Sequence, residues 1–92
     1  MANIRQYKIE VRGQVQGVWF RKTTKDKADE LGLKGSVHNE TDGTVKVVVQ
    51  GDEKALNEFI QYCSVGPESA TVLGLHIEEE STLEQFPGFS IN

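Results

Sequence analysis

The apolar residues change their spacing several times along the chain, and this succession constrains the fold more than any other feature of the sequence. In the first patterned segment, Tyr7, Ile9 and Val11 alternate with charged residues. Alternation with a period of two is typical of a strand that buries one face. The sequence therefore predicts a first strand that ends at Gly13.

The next segment has helical spacing from Lys22 onwards. Its apolar face is narrow and consists of three residues at i, i+4 and i+7: Thr24, Ala28 and Leu31. Gly32 follows at the position where a helix commonly ends. We expect a short helix that is stabilised mainly by packing on a sheet, because an isolated helix of this length is marginal.

A hairpin is predicted in the middle of the chain. Residues 35–40 and 44–50 read as two strands, and Asp42-Gly43 between them is a strong hairpin dipeptide because both residues tolerate positive φ. On the second of these strands, three residues of equal parity are expected in the core: Val45, Val47 and Val49.

The last third of the chain reads as a helix followed by two strands. Asp52 is expected to cap the helix, and Gly66-Pro67 to end it. The apolar stripe of the helix comprises Leu56, Phe59, Ile60 and Cys63. A strand over 71–79 is expected to direct three residues inward: Leu73, Leu75 and Ile77. Residues 89–91 are expected to form a short closing strand.

The predicted order, strand, helix, strand, strand, helix, strand and a short final strand, favours an α+β fold. A right-handed crossover between the first two strands leaves a gap that the third strand fills, which gives the ferredoxin-like βαββαβ sandwich with both helices on one face of an antiparallel sheet. The chain has 92 residues, of which 37% are hydrophobic, so we expect one domain over residues 1–92. This fold hosts many activities and does not name one.

Charge and composition exclude several classes of function. Residues 1–34 carry a net charge of +4 and residues 35–92 a net charge of −8. An overall net charge of −4 disfavours nucleic acid and anionic membranes as partners, whereas the basic first third suits a small anion. With one cysteine, no apolar run of membrane-spanning length and no apolar signal region in residues 1–5, we expect a cytoplasmic protein. The pattern shows no long apolar surface patch, so we expect a monomer.

The most informative part of the sequence joins the first strand to the first helix. It reads Val11-Arg12-Gly13-Gln14-Val15-Gln16-Gly17-Val18-Trp19-Phe20-Arg21. A loop that leads into a helix presents unpaired N–H groups, and two glycines allow these groups to converge on a phosphate. Arg21 adds a planar cation that can bind two phosphate oxygens. Glycines at this spacing also occur in surface turns that bind no ligand. The loop sequence by itself does not decide between a phosphate-binding loop and such a turn.

Two motifs identify the chain as similar to the acylphosphatase family. The segment 11–21 satisfies every specified position of the first family signature, aliphatic-x-Gly-x-Val-Gln-Gly-Val-x-aromatic-Arg. The second signature is met by a set of residues in matching register: Gly35, Val37, Asn39, Gly43, Val45 and Gly51. The resemblance extends through Gly66-Pro67 to residues 89–91 and covers nearly the whole chain.

The resemblance implies a hydrolase that cleaves acyl phosphates to a carboxylate and inorganic phosphate, without a metal or other cofactor. It assigns Arg21 to phosphate binding and Asn39 to the positioning of the attacking water. The phosphate-binding loop is expected to comprise Val15, Gln16, Gly17, Val18, Trp19, Phe20 and Arg21. An acyl phosphate has a good leaving group, so positioning of water and stabilisation of charge are sufficient chemistry for these residues.

Other residues receive simpler interpretations. Ser36 stands where the family usually has an aromatic residue, which we expect to cost about 1 to 3 kcal/mol of stability rather than activity. Strand alternation favours an exposed His38 that points away from Asn39 over a general base. Two histidines and Cys63 do not suffice for a closed zinc site, and Cys63 on an apolar stripe is expected to be buried and inert.

Two functions other than hydrolysis are alternatives for a sequence of this kind. A module that binds phosphate or an acyl phosphate without turnover would keep the loop, although the presence of both Arg21 and Asn39 favours the hydrolase. An RNA-binding sheet of the same topology is disfavoured, because the central strands lack paired exposed aromatic residues and the net charge is negative. The contacts proposed from sequence all involve the phosphoryl group, so the sequence does not predict which acyl group is used.

Overall fold

The computed structural model describes residues 3–92, which form five strands and two helices. In chain order these are β1 (Ile4–Gln14), α1 (Phe20–Glu30), β2 (Lys34–Asn39), β3 (Val45–Asp52), α2 (Glu53–Val65), β4 (Thr71–Glu80) and β5 (Phe89–Ile91).

All five strands belong to one sheet with the order β4-β1-β3-β2-β5. β1 pairs antiparallel with both β3 and β4, β2 pairs antiparallel with β3, and β5 runs parallel to β2 at the edge. The predicted α+β ferredoxin-like fold is confirmed. This strand order brings the C-terminal end of β1 close to the β2–β3 hairpin, since Val11 pairs with Val45 and Val45 pairs with Asn39.

The core lies between the sheet and the two helices. As predicted, Val45, Val47 and Val49 are fully buried. Helix α2 contributes three further buried residues: Leu56, Phe59 and Cys63. Burial raises the pKa of the Cys63 thiol to about 12, so the reactive thiolate is not formed near neutral pH.

The predicted cap of α2 is also confirmed, whereas several boundaries differ from the prediction. The Asp52 side chain accepts a hydrogen bond from the Ala55 backbone N–H at 2.9 Å. Strand β1 continues past Gly13 to Gln14, and α1 begins at Phe20 rather than at Lys22. The buried face of α1 is accordingly Phe20, Thr24 and Ala28, while Leu31 lies beyond the helix and is only half-buried.

The predicted inward face of β4 was wrong at Leu73, which is 80% exposed. The pairing of β4 with β1 shifts register at this point: Arg12 pairs with Gly74 and Gly13 with Val72, which leaves Leu73 unpaired in a bulge. The residue opposite the bulge is a glycine because a side chain at Gly13 would collide with the Thr71 carbonyl oxygen.

Ile77 differs from the prediction for another reason. It pairs with the buried Ile9, yet 40% of its surface remains exposed because β4 is the edge strand. Leu75 is half-buried and packs against the core, as the inward prediction requires.

Candidate active site

The loop between β1 and α1 makes its turn with two residues in the left-handed region. Gly17 has φ 73°, and Trp19, the N-cap residue of α1, has φ 66° and ψ 9°. Glycine adopts this conformation without steric cost, whereas for tryptophan it is strained. The two left-handed residues fold the chain back on itself immediately before the helix.

The backbone amides of this loop are free to donate. Within residues 3–92, no backbone or side-chain acceptor receives a hydrogen bond from the N–H groups of residues 15–19. The Trp19 side chain makes no capping hydrogen bond either, so the first turn of α1 keeps its unpaired donors. A run of free amides at a helix N-terminus attracts a phosphate group through both the N–H donors and the helix dipole.

Arg21 lies in the first turn of α1, and its guanidinium reaches the residue that follows β5. Its Nη1 donates to the main-chain oxygen of Asn92 at 3.2 Å, and the Asn92 backbone N–H donates to the Val37 carbonyl oxygen at 2.9 Å. Among the residues that the structure describes, no Asp or Glu side chain forms an ion pair with Arg21. The guanidinium therefore keeps further N–H donors for an anion in the loop.

The Gln16 side chain connects the loop to the β2–β3 hairpin. Its Nε2 donates to the Glu40 carbonyl oxygen at 2.7 Å and to the Thr44 carbonyl oxygen at 2.9 Å. These two carbonyls lie on opposite sides of the hairpin turn, and Glu40 directly follows the last residue of β2. Gln16 was predicted only as part of the phosphate-binding loop, and no sequence pattern indicated this contact.

Asn39 ends β2 and directly precedes Glu40, one of the two residues to which Gln16 donates. It pairs with the buried Val45 and has the same parity as the buried Val37, so its side chain lies on the helix side of the sheet. Its Oδ1 is buried, and no donor within residues 3–92 forms a hydrogen bond with it. Because an unpaired buried oxygen is costly, this acceptor suits a donor from outside the chain. The Gln16 side chain thus holds the loop against the hairpin directly next to the residue that sequence motifs selected.

His38 lies on the other face of β2 and belongs to a separate cluster. Its Nε2 is 2.9 Å from Glu40 Oε1, which is also 3.4 Å from Lys46 Nζ. The hydrogen bond from His38 is the main cause that lowers the pKa of the Glu40 carboxyl, with a further contribution from the Lys46 charge. The His38 side chain is 35% exposed, less than the open position predicted from alternation, and it already has a partner.

A cleft of ≈ 380 Å³ opens beside the loop. Its lining combines loop and helix residues with one strand residue: Val15, Gly17, Trp19, Phe20, Arg21, Lys22 and Ile91. Ile91 was predicted in the closing strand and not as part of a site. A partly exposed apolar residue on β5 could have suggested that Ile91 belongs to the site. That inference requires the pairing of β5 with β2, which the sequence pattern does not give.

Comparison with known proteins decides the family. The acylphosphatase family model matches residues 7–91, and this chain belongs to the acylphosphatase family. An acylphosphatase of Pelotomaculum thermopropionicum is 40% identical over 83 residues, which cover 90% of this chain and 90% of that protein. The crystal structure of an acylphosphatase from Bacillus subtilis superposes with a TM-score of 0.92 at 38% identity and covers 96% of this chain and 98% of that one.

A larger protein also contains a similar unit. The crystal structure of full-length HypF in its phosphate- and nucleotide-bound form matches all of this chain but only 12% of its own length, with a TM-score of 0.87 and 25% identity. The activity that the family matches support for this chain is hydrolysis of acyl phosphates.

Residues 3–92 contain neither a cluster of metal-ligating side chains nor a membrane-spanning helix. No group of three or more His, Cys, Asp or Glu side chains lies in an arrangement that could hold a metal ion. Neither of the described helices has the length and apolar character needed to cross a membrane.

Proposed function

We propose that the loop amides and the Arg21 guanidinium bind the phosphoryl group of an acyl phosphate while Asn39 positions the attacking water. The observation that carries this proposal is the combination of free N–H groups at residues 15–19, a guanidinium without an Asp or Glu partner, and the unpaired Oδ1 of Asn39.

The chemistry requires no nucleophile from the protein. Water attacks phosphorus, the bond between phosphorus and the acyl oxygen breaks, and the carboxylate leaves with the bonding electrons. The proton of the water passes to a phosphoryl oxygen, so a dianionic substrate gives a carboxylate and a monoanionic phosphate. Amides and guanidinium stabilise the equatorial oxygens, and the Asn39 Oδ1 accepts a hydrogen bond from the water without competing for its proton.

We further propose a cytoplasmic monomer that acts on small acyl phosphates without a metal, a nucleic acid or a membrane as partner. The support is a net charge of −4, which disfavours polyanions, and a core whose single cysteine is buried and unbridged. Light scattering coupled to gel filtration tests the oligomeric state directly.

The decisive assay is hydrolysis of benzoyl phosphate in the presence of EDTA. We expect the wild type to remain active under these conditions. In Arg21→Gln and in Asn39→Ala, kcat is expected to fall by about tenfold to a thousandfold. This is the range for loss of one electrostatic or positioning contact. Inorganic phosphate is expected to inhibit the wild type competitively.

Two matched controls separate these roles from general effects of charge and polarity. Lys25→Gln removes a cation from the same helix, and Asn57→Ala removes a carboxamide from the exposed face of α2; both are expected to keep wild-type activity. If the wild type binds phosphate but hydrolyses no acyl phosphate, the hydrolase is rejected and the chain is a binding module. Full activity of Asn39→Ala would reject the water-positioning role.

A further inference from the structure

The cleft beside the loop extends beyond the groups that contact a phosphoryl group. Its lining includes Gly17 and Arg21, and the rest of the lining is dominated by apolar side chains from the loop, α1 and β5. A ligand held by the amides and Arg21 would therefore have this surface next to its other end. Since the two regions are continuous, the occupant is the part of the substrate that is covalently bonded to the phosphoryl group.

Trp19 forms the most exposed wall of the cleft. Its side chain is 75% exposed, although it is the largest apolar side chain in the loop. The backbone at this residue is held in the left-handed region, which is strained for a bulky side chain. An aromatic group kept exposed on a strained backbone at the mouth of a cleft is suited to contact a ligand rather than to fill the core.

Ile91 provides an apolar surface from β5. It pairs with Val37 and has the same parity as the buried Phe89, so it faces the helix layer, yet 39% of its surface remains exposed. Helix α1 packs against β5, and both elements line the cleft. Burial of the exposed parts of Trp19 and Ile91 by a ligand would be favourable in proportion to the apolar area removed from water.

The charge of the cleft argues for an uncharged occupant. Lys22 is the cation of the lining other than Arg21, and its Nζ lies 2.8 Å and 2.9 Å from the two carboxylate oxygens of Asp26. Its charge is therefore compensated within the helix. An acyl group with a second negative charge would find no free cation in this lining once Arg21 holds the phosphoryl group.

We propose that this cleft is an acyl-group subsite, with Trp19 and Ile91 as its specificity-determining contacts, and that the enzyme prefers acyl phosphates with an uncharged aromatic or bulky aliphatic acyl group. The inference rests on the proposed function, because it takes the phosphoryl group to lie in the loop. It adds a substrate class that the phosphoryl contacts alone do not define.

The test compares kcat/KM for benzoyl phosphate with that for acetyl phosphate in the wild type, Trp19→Asn and Ile91→Ala. Asparagine tolerates the left-handed backbone, so Trp19→Asn removes the indole without added strain. The ratio of the two values is taken on one preparation and does not depend on the fraction of folded protein. We expect the wild type to favour benzoyl phosphate, and the ratio to fall about three- to tenfold in Trp19→Asn and about threefold in Ile91→Ala.

Leu73→Ala serves as the matched control, because Leu73 is 80% exposed and lies outside the cleft; its ratio is expected to equal that of the wild type. Succinyl phosphate, which carries an additional carboxylate, is expected to be no better a substrate than acetyl phosphate. A ratio that stays unchanged in both cleft variants, an equal fall in Leu73→Ala, or a preference for succinyl phosphate would each overturn the subsite.

A second readout does not need turnover. The chain contains one tryptophan, so its fluorescence reports on Trp19 alone. We expect phenylphosphonate to shift the emission to shorter wavelength more than methylphosphonate does, because a phenyl group shields the indole from water. Equal effects of the two probes would overturn the subsite. Absence of acyl phosphate hydrolysis, with the phenylphosphonate shift intact, would instead reject the proposed function and leave the apolar contact standing.

Discussion

At the scale of single residues, Thr24 fits the predicted buried face of α1 and yet lowers the stability of the protein. The residue is fully buried in α1, and its Oγ1 has no hydrogen-bond partner among the described residues. A buried hydroxyl without a partner loses its hydration and gains nothing in return. Its position on the buried face was predictable from spacing, whereas the lack of a partner was not.

We predict that Thr24→Val stabilises the protein by about 1 kcal/mol, because valine has nearly the same shape and needs no hydrogen bond. Urea unfolding followed by circular dichroism measures the change in the free energy of unfolding. Thr23→Val is the control, since the Thr23 hydroxyl already donates to the Phe20 carbonyl oxygen at 3.1 Å. Thr24→Val with a lower midpoint than the wild type would show that the hydroxyl has a partner in solution.

Ser36 is a departure from the family pattern that lies away from the site. It is half-buried, pairs with Val48 on one side and Ser90 on the other, and lies on the sheet face opposite the helices. The expected loss of stability relative to an aromatic residue therefore concerns the open face of the sheet. Neither Arg21 nor Asn39 lies on that face.

At the scale of elements, the Gln16 side chain joins the loop to the hairpin that carries Asn39. Its two hydrogen bonds satisfy carbonyls on both sides of the turn, so they fix the distance between the free amides and the end of β2. The backbone of Gln16 belongs to the phosphate-binding loop proposed from sequence, and its side chain adds a positioning role.

We predict that Gln16→Leu lowers kcat about tenfold and changes the inhibition constant of phosphate less, because the water-positioning carboxamide shifts relative to the loop. Both carbonyls lose the Gln16 donor but keep a backbone N–H donor, so we expect a cost of only about 1 kcal/mol in unfolding free energy. Gln14→Leu, at the exposed end of β1, is the control. A loss of stability with unchanged kcat would restrict Gln16 to a structural role.

Elements with clean periodicity were predictable from the sequence, and those shaped by tertiary contacts were not. The valines of β3 and the Asp52 cap follow from local rules, since alternation and capping depend on neighbours in the chain. The error at Leu73 arises because alternation assumes a regular ladder, whereas a bulge opposite Gly13 shifts the parity. The start of α1 at Phe20 depends on the left-handed Trp19, which no apolar spacing indicates.

At the scale of the whole molecule, the distribution of charge differs from what the sequence suggested. The basic first third of the chain was expected to suit a small anion, but each lysine of α1 is paired within the helix: Lys22 with Asp26, Lys25 with Asp29 and Lys27 with Glu30. These exposed pairs contribute little stability, yet they reduce the field of the helix face. Within residues 3–92, Arg21 is then the cation of α1 that remains without an Asp or Glu partner.

The site is likewise a property of the assembled molecule. Its two principal residues, Arg21 and Asn39, could be selected from motif spacing in the sequence. Their setting could not, because it depends on contacts between distant parts of the chain, such as that of Arg21 with the main-chain oxygen of Asn92 and that of Gln16 with the hairpin. The fold brings these contacts together at the end of the sheet where β1, β2 and β3 meet the loop.

The most direct measurement is a titration of isotopically labelled protein with inorganic phosphate, followed by the backbone amide resonances. We predict that the largest shifts occur at residues 15–20, saturate at the concentration at which phosphate inhibits hydrolysis, and disappear in Arg21→Gln. Shifts centred elsewhere on the molecule, or amides of residues 15–20 that do not respond while phosphate still inhibits, would contradict phosphate binding by this loop.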